Sequence, residues 1–138
     1  MSFGENISPL LGRCLMALFF ALIGLEQLRD WPGARLTLLS HGLQPPDVIL
    51  AVAVILELGG AFALVLGFRT RLAALALFVL TVAASVGMND FWKIGDAELA
   101  YSQMQIFLRN IAIAGGLLVV VGMGAGRWSY DTWRGDGD

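Results

Sequence analysis

Four apolar runs constrain this chain more than anything else in it: they cover about 8–28, 47–67, 71–89 and 103–123. A run of roughly 20 such residues spans the hydrocarbon depth of a bilayer as an α-helix. A helix also satisfies its own backbone N–H and C=O groups, which lipid cannot do. Four transmembrane helices are therefore predicted. Composition agrees, because 57% of the 138 residues are hydrophobic and only 14% charged, with a mean hydropathy of +0.73. Soluble domains carry about a quarter charged residues. A soluble fold of this size has too little interior to hide so much apolar surface. The chain reads as a single membrane domain, 1–138, with a tail over 124–138.

The first run does not read as a cleavable leader. Glu5 stands ahead of it in place of a basic cluster, its apolar core is too long, and no small-x-small site follows. The connections then set the topology. "GFRTR" (67–71) is so short that spans two and three form an antiparallel hairpin, with Gly67 suited to a left-handed helix end. Between spans one and two, Pro32 and Gly42 bracket "GARLTLLSH", a short helix at the membrane surface with Leu36, Leu38 and Leu39 on its apolar side. Pro45 and Pro46 open span two, with Asp47 in its first turn against the helix dipole. "NDFWKIGDAELAYS" (89–102) is polar and aromatic, and Ser102-x-x-Gln105 reads as a capping box for span four. The tail is expected to leave the membrane and to fray beyond Trp133. The fold class is an all-α integral membrane protein: an antiparallel four-helix transmembrane bundle with a short interfacial helix between spans one and two.

Basic residues near the span ends indicate orientation. Arg13, Arg69, Arg71, Arg127 and Arg134 belong to the end holding the N-terminus, the 67–71 turn and the tail; Arg29, Arg35, Lys93 and Arg109 belong to the other. The compact Arg69/Arg71 turn favours both termini in the cytoplasm.

Polar groups within a span are costly and usually face the bundle interior. At helical spacing they form one stripe per span: Arg13, Ala17, Phe20, Gly24 and Gln27; Glu57, Gly60, Leu64 and Gly67; Ala74, Phe78, Thr81, Ser85 and Met88; Gln105, Arg109, Ala112 and Gly116. Small residues on these stripes allow close helix approach in lipid. Glu57 is about 15 Å in from the Gly67 end of its span and Arg13 about 8 Å in from the same side. An arginine side chain covers that difference, so an Arg13–Glu57 pair is expected. Glu26 and Arg109 lie at one level and make a second expected pair. As struts, such pairs set register; alternatively Glu57 lines a polar cavity.

The net charge of −2 leaves no basic patch for nucleic acid. One cysteine, Cys14, and one histidine, His41, exclude an internal disulfide and clustered Cys or His metal sites, and both read as structural.

"LLGRCLMALFFALIGLEQLRDWPG", "LELGGAFALVLGFRTRLAA", "NDFW" and "FLRNIAIAGGLLVVVGMGAGRWSYD" together resemble the DoxX family of small bacterial and archaeal membrane proteins, over about residues 8–131. The resemblance implies a four-helix bundle in the plasma (inner) membrane, associated with quinol-linked or other membrane redox systems. The family's recurring polar positions fall on Arg13, Glu57, Arg109 and Asn110. Gln27 stands where members often have lysine, Asn89 where they often have histidine, and Ile106 where a polar residue is common. The missing histidines count against metal or proton-shuttle chemistry, and no heme ligand pair, flavin motif, nucleophile triad or CxxC makes the chain a self-sufficient enzyme.

Three functional readings follow. The first is an accessory subunit of a membrane redox system, holding a quinone or quinol in a slot open to the non-cytoplasmic side. Phe91, Trp92 and Phe107 would flank the ring, while Glu26, Asn89, Gln103, Arg109 and Asn110 would contact its oxygens. The same aromatics also serve as ordinary interfacial anchors. The second is a non-enzymatic scaffold or assembly partner of another complex, or a homo-oligomer. The third is a small transporter or lipid-binding bundle, although no inverted repeat or broken helix marks one. The buried polar or ligand-binding candidates are thus Arg13, Glu26, Glu57, Asn89, Trp92, Gln103, Arg109 and Asn110; the residues identify no cofactor, quinone being the one the first reading implies, and the bilayer is the constant partner.

Overall fold

The computed structural model describes residues 2–135, and its helices begin and end where local chemistry satisfies their free backbone groups. Helix α1 (Phe3–Arg29) starts at a capping box: Ser2 Oγ accepts from Glu5 N–H at 3.2 Å, and Glu5 Oε2 accepts from Ser2 N–H at 2.9 Å. Asp30 ends α1 and caps α2 (Trp31–Ser40) through Gly33 N–H. Helix α3 (Pro46–Leu66) stops at Gly67, whose φ of 71° is left-handed. Helix α4 (Thr70–Met88) follows, then one 3-10 turn at Phe91–Lys93. Helix α5 (Ala97–Met123) and the five-residue α6 (Tyr130–Arg134) complete the described chain.

The fourth long helix starts six residues before the expected 103. Asp96 caps it by accepting from Glu98 and Leu99 N–H, at 3.0 and 3.4 Å. Ser102 and Gln105 therefore sit inside α5, and the expected capping box is not a cap. An Asp placed nearly two turns earlier offers the better carboxylate acceptor, and nothing between it and Ser102 breaks a helix.

Among the described residues, four helices are long and apolar enough to cross a membrane, counting α4 with its 3-10 turn as one. Around the bundle, α1 packs on α3, α3 on α4 and α4 on α5. Helices α1 and α5 meet across a looser seam, where Met16 lies against Gly116 and Arg109 over the Phe19 ring. The interior holds Ala17, Phe20, Ala61, Leu64, Ala74, Leu77 and Leu117, while Leu15, Ile55, Phe62, Val79 and Val119 point outward as a lipid-facing surface should. Tight crossings coincide with glycine. A Cβ on Gly24 would sit 2.9 Å from Leu58, and one on Gly60 2.8 Å from Leu77.

Helix α2 lies against the start of α3. Trp31 Nε1 donates to Asp47 Oδ1 at 3.0 Å and Arg35 pairs with the same oxygen at 3.2 Å. Its buried leucine is Leu38, with Leu50 and Val54 beneath it, whereas Leu36 is 63% exposed. The expected apolar side was thus one residue type too generous, because Leu36 and Leu38 lie about 200° apart on a helix.

The interior stripes of α1, α3 and α4 follow the predicted spacing, except that Ala61 and Leu77 are the buried residues where Gly60 and Phe78 were expected, and those two are half-buried. That of α5 is rotated. Ala114 and Leu117 are its buried residues, continuing a line from Gln103 and Asn110, while Gln105, Arg109 and Ala112 are exposed. Helix α5 carries polar residues on two adjacent faces, so periodicity alone does not select between them.

Candidate functional site

Arg13 and Glu57 do not meet. Arg13 is 2% exposed, and its guanidinium donates to carbonyls: Leu64 O at 2.7 Å, Val65 O at 3.5 Å and Trp128 O at 2.6 Å. Leu64 and Val65 belong to the last turn of α3, where carbonyls have no helical partner and cations are favoured. Arg13 thus ties α1 to the end of α3 and to the tail. Beside it, Asp131 of α6 accepts from Arg69 N–H at 2.7 Å and Thr70 N–H at 2.8 Å, capping α4 from a distance in sequence. Burial pushes the Asp131 carboxyl up, but the Thr70 and Arg69 hydrogen bonds and the Arg13 charge outweigh it and hold its pKa below the ordinary value. The tail therefore folds back onto the 67–71 turn instead of simply leaving the membrane; of the part expected to fray beyond Trp133, Arg134 is still helical and Gly135 caps it, and the rest lies outside the described residues.

The second expected pair is also absent. Glu26 binds Arg29 on the exposed surface at 2.7 Å. Arg109 instead lies 5.3 Å from the Phe19 ring centre and donates to Asn110 Oδ1 at 3.3 Å. In both cases a nearer acceptor or ring face takes the guanidinium.

Toward the opposite end of the bundle from Arg13 lies a cavity of about 310 Å³. Ligand pockets begin at roughly 300 Å³. Helix α1 contributes Phe19, Phe20 and Gln27; α3 contributes Glu57; α4 contributes Thr81; α5 contributes Gln103, Arg109 and Asn110. Asn89, Thr37 and His41 complete the polar wall. Gln27 is the hydrogen-bonding neighbour of the Glu57 carboxyl. Asn89 Nδ2 donates to Gln103 Oε1 at 2.7 Å, fixing the end of α4 to α5. A second, more apolar cavity of about 430 Å³ under α2 shares Gln27, Thr37, Glu57, Leu80, Ala84 and Met88 with the first.

Three buried oxygens in this region lack a hydrogen-bond partner: Glu57 Oε2, Gln27 Oε1 and Thr81 Oγ1. Glu57 and Thr81 are 7% and 6% exposed. Orphaned acceptors at such depth cost free energy unless something supplies a donor.

Of the sequence candidates, the cavity gathers Glu57, Asn89, Gln103, Arg109 and Asn110. Arg13 stands at the other end, Glu26 is on the surface, and Trp92 is 52% exposed. Phe91, Trp92 and Phe107 form a mutual edge-to-face cluster, with ring centres 5.3 to 5.6 Å apart, near the start of α5. The rings in the cavity wall are Phe19 and Phe20, whose spacing resembled ordinary core. Thr37 and His41 were also missed as lining residues. They come from α2, whose seating against the bundle has no signal in the sequence.

A family model described as DoxX matches residues 8–90, which takes in α1 through α4. The chain is similar to inner membrane protein YqjF of Escherichia coli, 28% identical over 127 residues and 92% of each chain. It is 30% identical to inner membrane protein YphA of the same organism over 123 residues, 88% of this chain and 86% of that one. A Surfeit locus protein 4 homolog of Drosophila melanogaster is 27% identical over 132 residues, 92% of this chain but 41% of that longer protein. No solved structure matches.

Proposed function

Because this chain belongs to the DoxX family of membrane proteins, we propose that it is an accessory subunit of a membrane redox system that holds a quinone or quinol between its helices. The observation that carries the reading is the convergence of Glu57, Gln27, Asn89, Gln103, Arg109 and Asn110 on one cavity walled by Phe19 and Phe20. Apolar walls with a few convergent polar groups are what a small-molecule site needs. The rings supply faces for a planar head, and the polar groups address its oxygens. The chain itself binds and positions; electron transfer belongs to a partner in the complex. The setting is the bacterial or archaeal inner membrane. Both termini are in the cytoplasm, on the side of the Arg69/Arg71 turn, which places the cavity toward the opposite face.

The test is mass spectrometry of lipophilic molecules retained through gentle purification. A stoichiometric quinone or quinol, reduced or lost on Arg109→Ala, is expected. Ordinary phospholipid alone, unchanged by that substitution, overturns the reading.

A further inference from the structure

Two of the three orphaned oxygens at the floor of the cavity, Glu57 Oε2 and Gln27 Oε1, offer lone pairs with no donor facing them. Thr81 Oγ1 accepts as readily as it donates. The outer wall is the reverse: Arg109 brings a guanidinium that can only donate. A floor of acceptors beneath a rim of donors sorts the two redox forms of one head. A quinone has two carbonyl oxygens and no proton to offer, so it satisfies the rim and sets lone pairs against the floor. A quinol hydroxyl donates to the floor, and the second oxygen still accepts from Arg109.

Building on the proposed quinone or quinol site, we infer that the cavity selects the reduced form, with Glu57 and Gln27 as the specificity-determining acceptors and Thr81 serving either form. The head enters with one hydroxyl toward Glu57. The more apolar cavity beneath α2, which shares Glu57 and Gln27 with the first, receives apolar substituents of the ring. Leaving a buried acceptor without its donor weakens binding by up to about tenfold.

The experiment uses the full chain in lipid nanodiscs with decylubiquinol and decylubiquinone as probes, the quinol kept reduced under anaerobic conditions. Affinities are read by quenching of the protein's tryptophan fluorescence and by isothermal titration. Quinol binding about tenfold tighter than quinone is expected. Glu57→Leu and, separately, Gln27→Leu remove an unpartnered acceptor without adding a donor, and should shrink that ratio by weakening quinol binding, with quinone affinity little changed. Far-UV circular dichroism and gel filtration identify any variant that fails to fold. Equal affinity for the two forms, tighter quinone binding, or a ratio unmoved by both folded variants overturns the inference but leaves the binding reading standing. No binding of either probe overturns both.

Discussion

Replacing Arg13 with methionine separates the stability of the bundle from its binding chemistry. Methionine keeps an unbranched apolar stem in the slot and removes the guanidinium. Two short charge-assisted hydrogen bonds disappear, to Leu64 O at 2.7 Å and Trp128 O at 2.6 Å. The 3.5 Å contact to Val65 O is at the limit of a bond and is left out. Bonds to a charged group contribute about 1.5–3 kcal/mol each. Water near the membrane end can reach the freed carbonyls, so the lower value applies, and the two bonds together contribute about 3 kcal/mol. Loss of a cation at the C-terminus of α3 adds up to about 1 kcal/mol. Arg13→Met should therefore cost about 3–4 kcal/mol, measured by titrating the full chain from mixed micelles with sodium dodecyl sulfate and following circular dichroism. Glu57→Gln should cost less than about 1 kcal/mol, because Arg13 does not depend on it. The double variant should be additive within about 0.5 kcal/mol, as for sites without shared partners. A loss under about 1 kcal/mol for Arg13→Met, or a coupling above that size between the two positions, refutes this reasoning.

Two further perturbations probe the same framework. Asp131 has its pKa lowered on folding, so its stabilising contribution is complete above the ordinary value of 3.8 and is lost as pH falls through the lower folded value. Asp131→Ala should cost about 1–2 kcal/mol near neutrality, as for a lost helix cap, and should flatten the acid limb of the melting temperature below that pH; an unchanged acid limb contradicts the assignment. Gly60→Val should push α3 from α4, because even a Cβ there comes within 2.8 Å of Leu77. A loss of about 1–3 kcal/mol is expected in the same titration, and a neutral result would mean that the crossing is looser than described.

Much of this molecule is readable in its residues because the relevant signals are local or periodic. The length of the apolar runs sets four spans, Gly67 marks a helix end, and the repeating small and polar residues of α1, α3 and α4 mark their inner faces. Glu57, Asn89, Gln103, Arg109 and Asn110 could be named as polar groups near one end of a bundle for the same reason. Asp96 is a capping residue by type as well, but Ser102-x-x-Gln105 carries the fuller motif and stands nearer the apolar run, so sequence alone favours the wrong cap. The wall residues Phe19 and Phe20 gave no comparable sign, since an aromatic facing a cavity and one facing a core occupy the same kind of position on a helix.

What the sequence by itself determined, then, is the solvent, the number of crossings and three of the four inward faces, since each follows from helix geometry and the cost of polar groups in lipid. Tertiary structure decided who pairs with whom. Arg13 and Glu57 are opposite charges at compatible depths, yet Arg13 binds the carbonyls at the end of α3 and the tail, acceptors that every residue type carries and no sequence motif announces. Helix α5 has two polar faces, and only its contact with α4 selects the one turned inward. Freed of Arg13, Glu57 is left with Gln27 and an unpartnered oxygen in a cavity. Spacing along a helix sets which side a residue faces; which partner it finds there depends on the rotation and reach of everything packed opposite.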